Sequence, residues 1–189
     1  MERIFEKGNK VLTINIDENP MDPRENENLG HMICVHKRYD LGDSDEKFDM
    51  DTISCWDDLE AYLKFQKKAK YILPLYLYDH SGITISTNPF GCRWDSCQVG
   101  FIYCTEEDIK AMGMEDKEND IVEALIGEVK EYDAYITGMV YEFTLEDKHV
   151  CKCCKAEKYE VIETGGNYYD INIIFEETGF EESDEIEES

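Results

Sequence analysis

The stretch Tyr71-Ile-Leu-Pro-Leu-Tyr-Leu-Tyr-Asp-His-Ser-Gly-Ile-Thr-Ile-Ser-Thr87 predicts a β-hairpin. Its first eight residues are mostly apolar, which is typical of a buried strand. Because proline cannot donate a ladder hydrogen bond, Pro74 places this strand at a sheet edge or at a bulge. The segment Asp79-His-Ser-Gly82 is typical of a turn, and the alternation of apolar and polar residues resumes at Ile83.

Further helices and strands are predicted on either side of this hairpin. Thr105 followed by three acids predicts a capped helix start, and Ser54 with Asp57 three residues later predicts another. Apolar residues at helical spacing within 116–132 predict a third helix. The predicted helices are 54–68, 105–112 and 116–132, and the further predicted strands are 11–16, 31–39, 99–104, 135–145, 158–163 and 171–175, with a turn at 165–167.

These elements predict an α+β fold, in which a mainly antiparallel sheet carries two or three helices. At roughly 150 residues per domain, a chain of 189 residues predicts a single domain, which we assign to residues 1–175. From residue 176 onward the chain contains many Asp and Glu and no Lys or Arg. The segment 176–189 is therefore predicted to be a disordered acidic tail.

The chain is strongly acidic, with 44 Asp and Glu against 19 Lys and Arg and a formal net charge of −25. Such a charge repels nucleic-acid phosphates and anionic membranes and attracts basic surfaces. The sequence has no basic patch typical of DNA binding, no apolar run long enough to span a membrane, and no secretory signal at its N-terminus. We therefore expect a cytoplasmic protein that binds neither nucleic acid nor membranes directly, and whose partner is a basic nucleic-acid-binding protein.

Two acidic segments form the candidate partner-binding surface. The first is the long loop after the predicted strand 11–16, because long loops in compact domains are often functional. The second is the polar side of the helix predicted at 116–132. Carboxylates on these segments would take the place of the phosphates that a basic groove holds. The candidate partner-binding residues are Asp17, Glu18, Asp22, Glu25, Glu27, Asp116, Asp120 and Glu123.

The chain has eight cysteines, and without a secretory signal they are not expected to form disulfides. Structural zinc usually takes two C-x-x-C pairs, or one such pair followed by a pair of histidines, and the order of cysteines and histidines in this chain matches neither arrangement. The densest cluster, Cys151-Lys-Cys-Cys154, does not have a standard zinc spacing as a whole. We therefore expect no metal and no cofactor, with the thiols acting as small hydrophobic groups. The alternative is a metal site made of Cys151, Cys153 and Cys154.

Asp79, His80 and Ser81 place a carboxylate, an imidazole and a hydroxyl in one turn. Neighbours in sequence rarely converge as a nucleophilic triad, and the motif G-x-S-x-G is absent. We interpret the segment as a polar turn and expect no catalytic residue. The alternative is a metal-dependent hydrolytic site made of Asp79, His80 and Asp95, because histidine with carboxylates suits divalent metals. That site requires His80 and Asp95 to lie within about 10 Å of each other.

Four blocks of the sequence are longer than ordinary motifs: Glu18-Asn-Pro-Met-Asp-Pro-Arg-Glu-Asn-Glu-Asn-Leu-Gly30, Leu73-Pro-Leu-Tyr-Leu-Tyr-Asp-His-Ser-Gly-Ile-Thr-Ile85, Cys92-Arg-Trp-Asp-Ser-Cys-Gln-Val-Gly-Phe-Ile-Tyr103 and Tyr135-Ile-Thr-Gly-Met-Val-Tyr141. Over about residues 10 to 175, they resemble a family of small proteins from phages and other mobile elements. The chain departs from that family at Cys97, where relatives are expected to carry Gly, and near Gly165, where they are expected to carry a Trp-Gly pair. The family has no settled activity, so the resemblance implies no catalytic residue. Small acidic phage proteins often resemble counter-defence factors such as anti-CRISPR and anti-restriction proteins.

The charge and the resemblance together predict a counter-defence inhibitor rather than an enzyme. Its acidic surface would imitate DNA and block a nucleic-acid-processing host effector, with a CRISPR nuclease as the expected target. Two alternatives stay open. One is the metal-dependent hydrolase, and the other is a regulatory module that binds a protein through aromatic residues.

Overall fold

A computed structural model describes residues 2–45, 55–92, 94–115 and 118–186 of the chain. Over these residues the chain forms four α-helices and two four-stranded antiparallel sheets, which confirms the α+β class. The elements are β1 (Arg3–Lys7), β2 (Lys10–Ile16), β3 (His31–Cys34), α1 (Trp56–Phe65), β4 (Ala69–Asp79), β5 (Ile83–Ser86), β6 (Ser96–Thr105), α2 (Glu106–Ala111), α3 (Glu118–Thr137), β7 (Tyr141–Val150), β8 (Glu157–Tyr168) and α4 (Ile171–Thr178).

The chain divides into two compact units rather than building one sheet. The terminal unit contains residues 1–21 and 138–189, and the central unit contains residues 22–137. The sheet of the terminal unit has the strand order β1-β2-β7-β8, and that of the central unit has the order β3-β6-β4-β5. The prediction of antiparallel pairing is confirmed, whereas the strands form two sheets where the sequence predicted a single one.

In the terminal unit, α4 packs on the sheet through an apolar cluster. Phe5, Leu12 and Phe143 of the sheet form this cluster with Ile174 of α4 and with Phe180, which follows the helix. The strand β1 was not predicted from the sequence, because its five residues contain only two apolar ones.

The acidic segment after residue 175 is ordered as far as residue 186, which differs from the disordered tail that we predicted. Gly179, with a φ of 73°, ends α4, and Phe180 is then buried in the apolar cluster. The N–H of Ile186 donates to the carbonyl of Ile4, and Arg3 donates two hydrogen bonds to Glu185. The charge pattern alone missed these anchors, because one buried aromatic residue and a few pairs outweigh the repulsion between exposed acids. Residues 187–189 lie outside the described part.

In the central unit, the two longer helices cover opposite faces of the sheet. Successive residues of β6 point to opposite faces. Ile102 packs in the cluster that contains Leu125 of α3, while Phe101 packs with Leu59 of α1. This arrangement leaves the outer sides of α1 and α3 on two different sides of the central unit.

The predicted hairpin is present as β4 and β5, and the structure explains its proline. Strand β5 pairs with β4 only over Tyr76–Asp79, so the part of β4 around Pro74 has no partner on that side among the described residues. On its other side β4 pairs with β6, with a register shift between Leu75 and Tyr76. The sequence predicted either a sheet edge or a bulge at Pro74, and in the structure Pro74 lies next to both.

The strand predicted at 135–145 is confirmed for residues 141–145, which lie in β7, but its first residues are helical, and the strand predicted at 171–175 is helical throughout. Residues 135–137 belong to α3, because Tyr132, Tyr135 and Ile136 reach the core at helical spacing. Residues 171–175 belong to α4, because Ile171, Ile174 and Phe175 fall on one face and Asp170 caps the helix. Tertiary packing overrides the strand preference of these β-branched and aromatic residues.

One further local prediction is wrong, and another falls outside the described residues. The turn expected at 165–167 lies within β8, where Gly165 pairs with Phe143. The cap predicted at Ser54 falls outside the described residues, and α1 follows Cys55, whose side chain makes no capping hydrogen bond.

Candidate functional site

Arg24 organises the first acidic loop from inside the central unit. Its side chain is 4% exposed. It donates from Nε to Asp43 at 2.7 Å, from Nη1 to Glu128 of α3 at 3.0 Å and from Nη2 to the carbonyl of Gly30 at 2.6 Å. Burial acts to lower the pKa of Arg24, but the hydrogen bonds that it donates to Asp43 and Glu128 hold that pKa above its ordinary value. The guanidinium is therefore a buried, fully paired cation.

The carboxylates that face Arg24 also bind the backbone. Glu128 accepts the N–H groups of Leu29 at 2.7 Å and Gly30 at 3.2 Å, and Asp43 accepts the N–H of Met32 at 2.8 Å. One buried ion network thus fixes the loop, the start of β3 and the middle of α3. The block at residues 18–30 accordingly has a clear role in folding.

The acids predicted in this loop divide into structural and free ones. Asp17, in the terminal unit, accepts the N–H groups of Asn19 and Asn167, and Asp22 accepts the N–H of Arg24 at the start of a short 3-10 helix. Their carboxylates are occupied within the fold. Glu18 in the terminal unit and Glu25 and Glu27 in the central unit are exposed, and their carboxylates make no hydrogen bond or ion pair with any residue that the structure describes.

The acids predicted on α3 divide in the same way. Asp120 and Glu123 are exposed, whereas Asp116 falls outside the described residues. Asp133 is occupied, because it accepts the hydroxyl of Thr84 and the N–H of Ile85, both at 2.7 Å. Helix α3 carries six acids and one base, Lys130, so its exposed side is strongly negative.

We define the acidic surface as Glu25, Glu27, Asp120 and Glu123. All four side chains belong to the central unit, on a loop and a helix that the Arg24–Glu128 pair joins. Within the described part of the chain, these four carboxylates make no hydrogen bond and no ion pair. Their charges are therefore available to a partner.

The three residues of the hydrolase alternative do converge. The N–H of Asp79 donates to the carbonyl of Asp95 at 2.8 Å, and Nδ1 of His80 lies 3.6 Å from Oδ2 of Asp95. The condition on the His80–Asp95 distance is met. However, Arg38 donates to one oxygen of Asp79 at 2.9 Å, and the hydroxyl of Tyr39 donates to the other at 3.1 Å. The carboxylate of Asp79 is thus already paired.

Trp94, beside this cluster, is an exposed aromatic residue that the sequence interpretation missed. Its side chain is 96% exposed, in the loop between β5 and β6. By contrast, the aromatic residue Tyr132 is buried, and its hydroxyl accepts the N–H of Gly42. An exposed tryptophan is a frequent anchor of protein interfaces.

The cysteines predicted as alternative metal ligands are close together at the end of the β7–β8 hairpin. The Sγ atoms of Cys151, Cys153 and Cys154 all lie within 4.8 Å of one another, the one such group of possible metal ligands found among the described residues. Hydrogen bonds from the backbone N–H of Cys154 and from Cys153 lower the pKa of Cys151 to about 6. By contrast, burial raises the pKa of Cys34 to about 12.

Comparison of this chain with protein-family models, with curated proteins and with solved structures finds no match in any of the three. The resemblance to small phage proteins therefore stays a prediction. None of the described helices has the length and apolar character needed to cross a membrane.

Proposed function

We propose that this protein is an inhibitor rather than an enzyme, and that it binds a basic nucleic-acid-processing protein through the acidic surface. The carboxylates would occupy the groove that otherwise holds nucleic acid, taking the place of phosphates. The proposal includes the target class expected from the sequence, a CRISPR nuclease, and a cytoplasmic location.

One observation carries the proposal: the fold leaves the acidic surface free while it uses the neighbouring carboxylates internally. Asp43, Glu128 and Asp133 hold the backbone of the central unit together, but Asp120 and Glu123 bond to nothing in the described part of the chain. Exposed carboxylates that take no part in contacts within the fold leave their negative charge available to a basic partner, which favours a role in binding.

The hydrolase alternative receives less support. Its favourable observation is the short distance between His80 and Asp95. A metal site would also need the carboxylate of Asp79, and both oxygens of that group are already bound by Arg38 and Tyr39. We interpret this cluster as a network that fixes the end of the β4–β5 hairpin.

Neutralising the acidic surface is expected to weaken binding. The double variant Asp120→Asn with Glu123→Gln removes two free charges from α3. At about 0.5–1 kcal/mol for each exposed charge pair, affinity for the captured effector should fall by roughly 5- to 30-fold at low salt. The affinity is measured by calorimetry with the effector that the tagged protein captures from a host lysate.

A matched control changes the net charge equally on the opposite side of the central unit. Asp57 and Asp58 are exposed acids in the first turn of α1, which covers the other face of the sheet. The double variant Asp57→Asn with Asp58→Asn should bind as the wild type does. Equal losses in both double variants would mean that only bulk charge matters, and the acidic surface would be the wrong assignment.

A second candidate function, a regulatory module that binds a protein through an aromatic anchor, is favoured by the exposure of Trp94. If that function is correct, Trp94→Ala should weaken binding by about 2 kcal/mol or more, as is usual for a tryptophan hot spot, and the loss should be the same at low and high salt. Under the inhibitor proposal, Trp94→Ala has a smaller effect than neutralisation of the acidic surface. Calorimetry on both variants at two salt concentrations separates the two functions.

A further inference from the structure

The β7–β8 hairpin ends in the turn Cys151-Lys-Cys-Cys-Lys-Ala156, which has a defined backbone. The N–H of Cys151 donates to the carbonyl of Ala156 at 2.8 Å, and the N–H of Lys155 donates to the carbonyl of Cys151 at 2.9 Å. Lys155 adopts a left-handed conformation with a φ of 60°. This turn brings three thiols together without any contribution from another segment.

We propose that Cys151, Cys153 and Cys154 bind one thiophilic metal ion through three thiolates, and that monovalent copper is the ion that this donor set fits best. Thiolates are soft ligands that select Cu(I) and zinc over magnesium or calcium. Cys151 and Cys154 also stand at the C-x-x-C spacing that is common in metal sites.

The distances suit such an ion. Three sulfur atoms at about 2.3 Å from a metal in a trigonal plane lie about 4 Å from one another. The three Sγ atoms are within 4.8 Å of one another, and those of Cys151 and Cys153 are 3.1 Å apart. The Cys151–Cys153 pair has to separate by about 1 Å, which rotation of the exposed Cys153 side chain can provide.

The number of ligands favours copper over zinc. Structural zinc sites are almost always closed by four protein ligands, whereas Cu(I) is stable with three sulfur ligands. Over the described residues, the group contains three ligand atoms. The nearby His149 lies 3.9 Å from both Asp147 and Glu160 and is not part of it.

Two lysines in the same turn also suit a metal–thiolate centre that carries a net negative charge. Three thiolates around one monovalent ion leave a net negative charge, which nearby cations stabilise. Lys152 and Lys155 lie within the same turn, in a chain that is otherwise strongly acidic. The site belongs to the terminal unit and the acidic surface to the central unit, so this inference stands independently of the proposed function.

The experiment is an anaerobic titration of the full-length reduced protein with Cu(I) against a coloured Cu(I) chelator, and with Zn²⁺ against a coloured zinc chelator. We expect one equivalent of Cu(I) to bind, and X-ray absorption at the copper edge to show three sulfur neighbours. Each of Cys151→Ser, Cys153→Ser and Cys154→Ser should weaken binding by at least about tenfold. Cys97→Ser, at an exposed cysteine of β6 in the central unit, is the control and should bind as the wild type does.

Two results would overturn the inference. Copper binding that persists in the triple serine variant, or that is lost in the Cys97→Ser control, would show that the three thiols do not form the site. Zinc bound in preference to copper with four ligands would show that the three-ligand assignment is wrong. Circular dichroism of each serine variant verifies that the fold is intact, and we expect no change because no residue of the turn belongs to an apolar cluster.

Discussion

Replacing Arg24 by alanine is expected to lower the free energy of unfolding of the central unit by about 3–5 kcal/mol, because it leaves two nearly buried carboxylates without their cation. The side chains of Asp43 and Glu128 are only 11% and 13% exposed, and each also holds backbone N–H groups in place. Urea denaturation followed by tryptophan fluorescence measures the effect, since both tryptophans belong to the central unit.

The control for this variant is another arginine that pairs with an aspartate. Arg38 donates to Asp79 at 2.9 Å, but its side chain is 68% exposed. Arg38→Ala should therefore cost less than about 1 kcal/mol. Arg24→Lys keeps the charge but loses the planar guanidinium, whose N–H groups bind Asp43 and Gly30. We therefore expect its loss of unfolding free energy to lie between the losses of Arg24→Ala and Arg38→Ala. Equal losses for Arg24→Ala and Arg38→Ala would contradict the role of the buried network.

Replacing Gly100 by alanine is expected to destabilise the central unit by about 3 kcal/mol or more, because no space exists for a side chain. Gly100 lies within β6 and pairs with Cys34 of β3 and Leu75 of β4. A Cβ atom there would stand 1.8 Å from the carbonyl oxygen of Ile33. Since the obstacle is backbone rather than a flexible side chain, the strands β3 and β6 would have to separate.

The same substitution at Gly127 provides the control, with the opposite sign. A Cβ atom at Gly127, within α3, would meet nothing within 4 Å. Gly127→Ala should therefore stabilise the unit by about 0.5–1 kcal/mol, because alanine is the better helix former. Urea midpoints of the two variants are compared with that of the wild type. If Gly100→Ala were as stable as Gly127→Ala, the close pairing of β3 with β6 would be wrong.

The sequence correctly predicted those helices and strands whose signals lie within a few consecutive residues. The hairpin at 71–87 and the capped helix that begins after Thr105 follow from alternation, turn residues and a capping box, all of which act over a few residues. The strand predicted at 171–175 is the instructive error, because Ile171, Ile174 and Phe175 suit a strand by composition and a helix by spacing. The position of the apolar core decides between a strand and a helix. No short stretch of sequence shows where that core lies.

The residues that define the candidate site could be identified only once the fold was known. Arg24 binds partners 19 and 104 residues away, so no local pattern could mark it as a buried network rather than as one charge in an acidic loop. The fold also separates Glu25 and Glu27, which are exposed, from Asp22, whose carboxylate accepts the N–H of Arg24. For the cysteines, the sequence placed three thiols near one another, but their convergence depends on the turn at the end of the β7–β8 hairpin, in which Lys155 is left-handed.

The most direct test of the proposed function is a competition between this protein and duplex DNA for the captured effector, at about 0.1 M and about 0.5 M salt, where screening differs strongly. We expect DNA and the protein to exclude each other, and the affinity of the protein to fall steeply at the higher salt concentration. A ternary complex with DNA, or an affinity that is the same at both salt concentrations, would contradict the proposal that the acidic surface replaces nucleic acid.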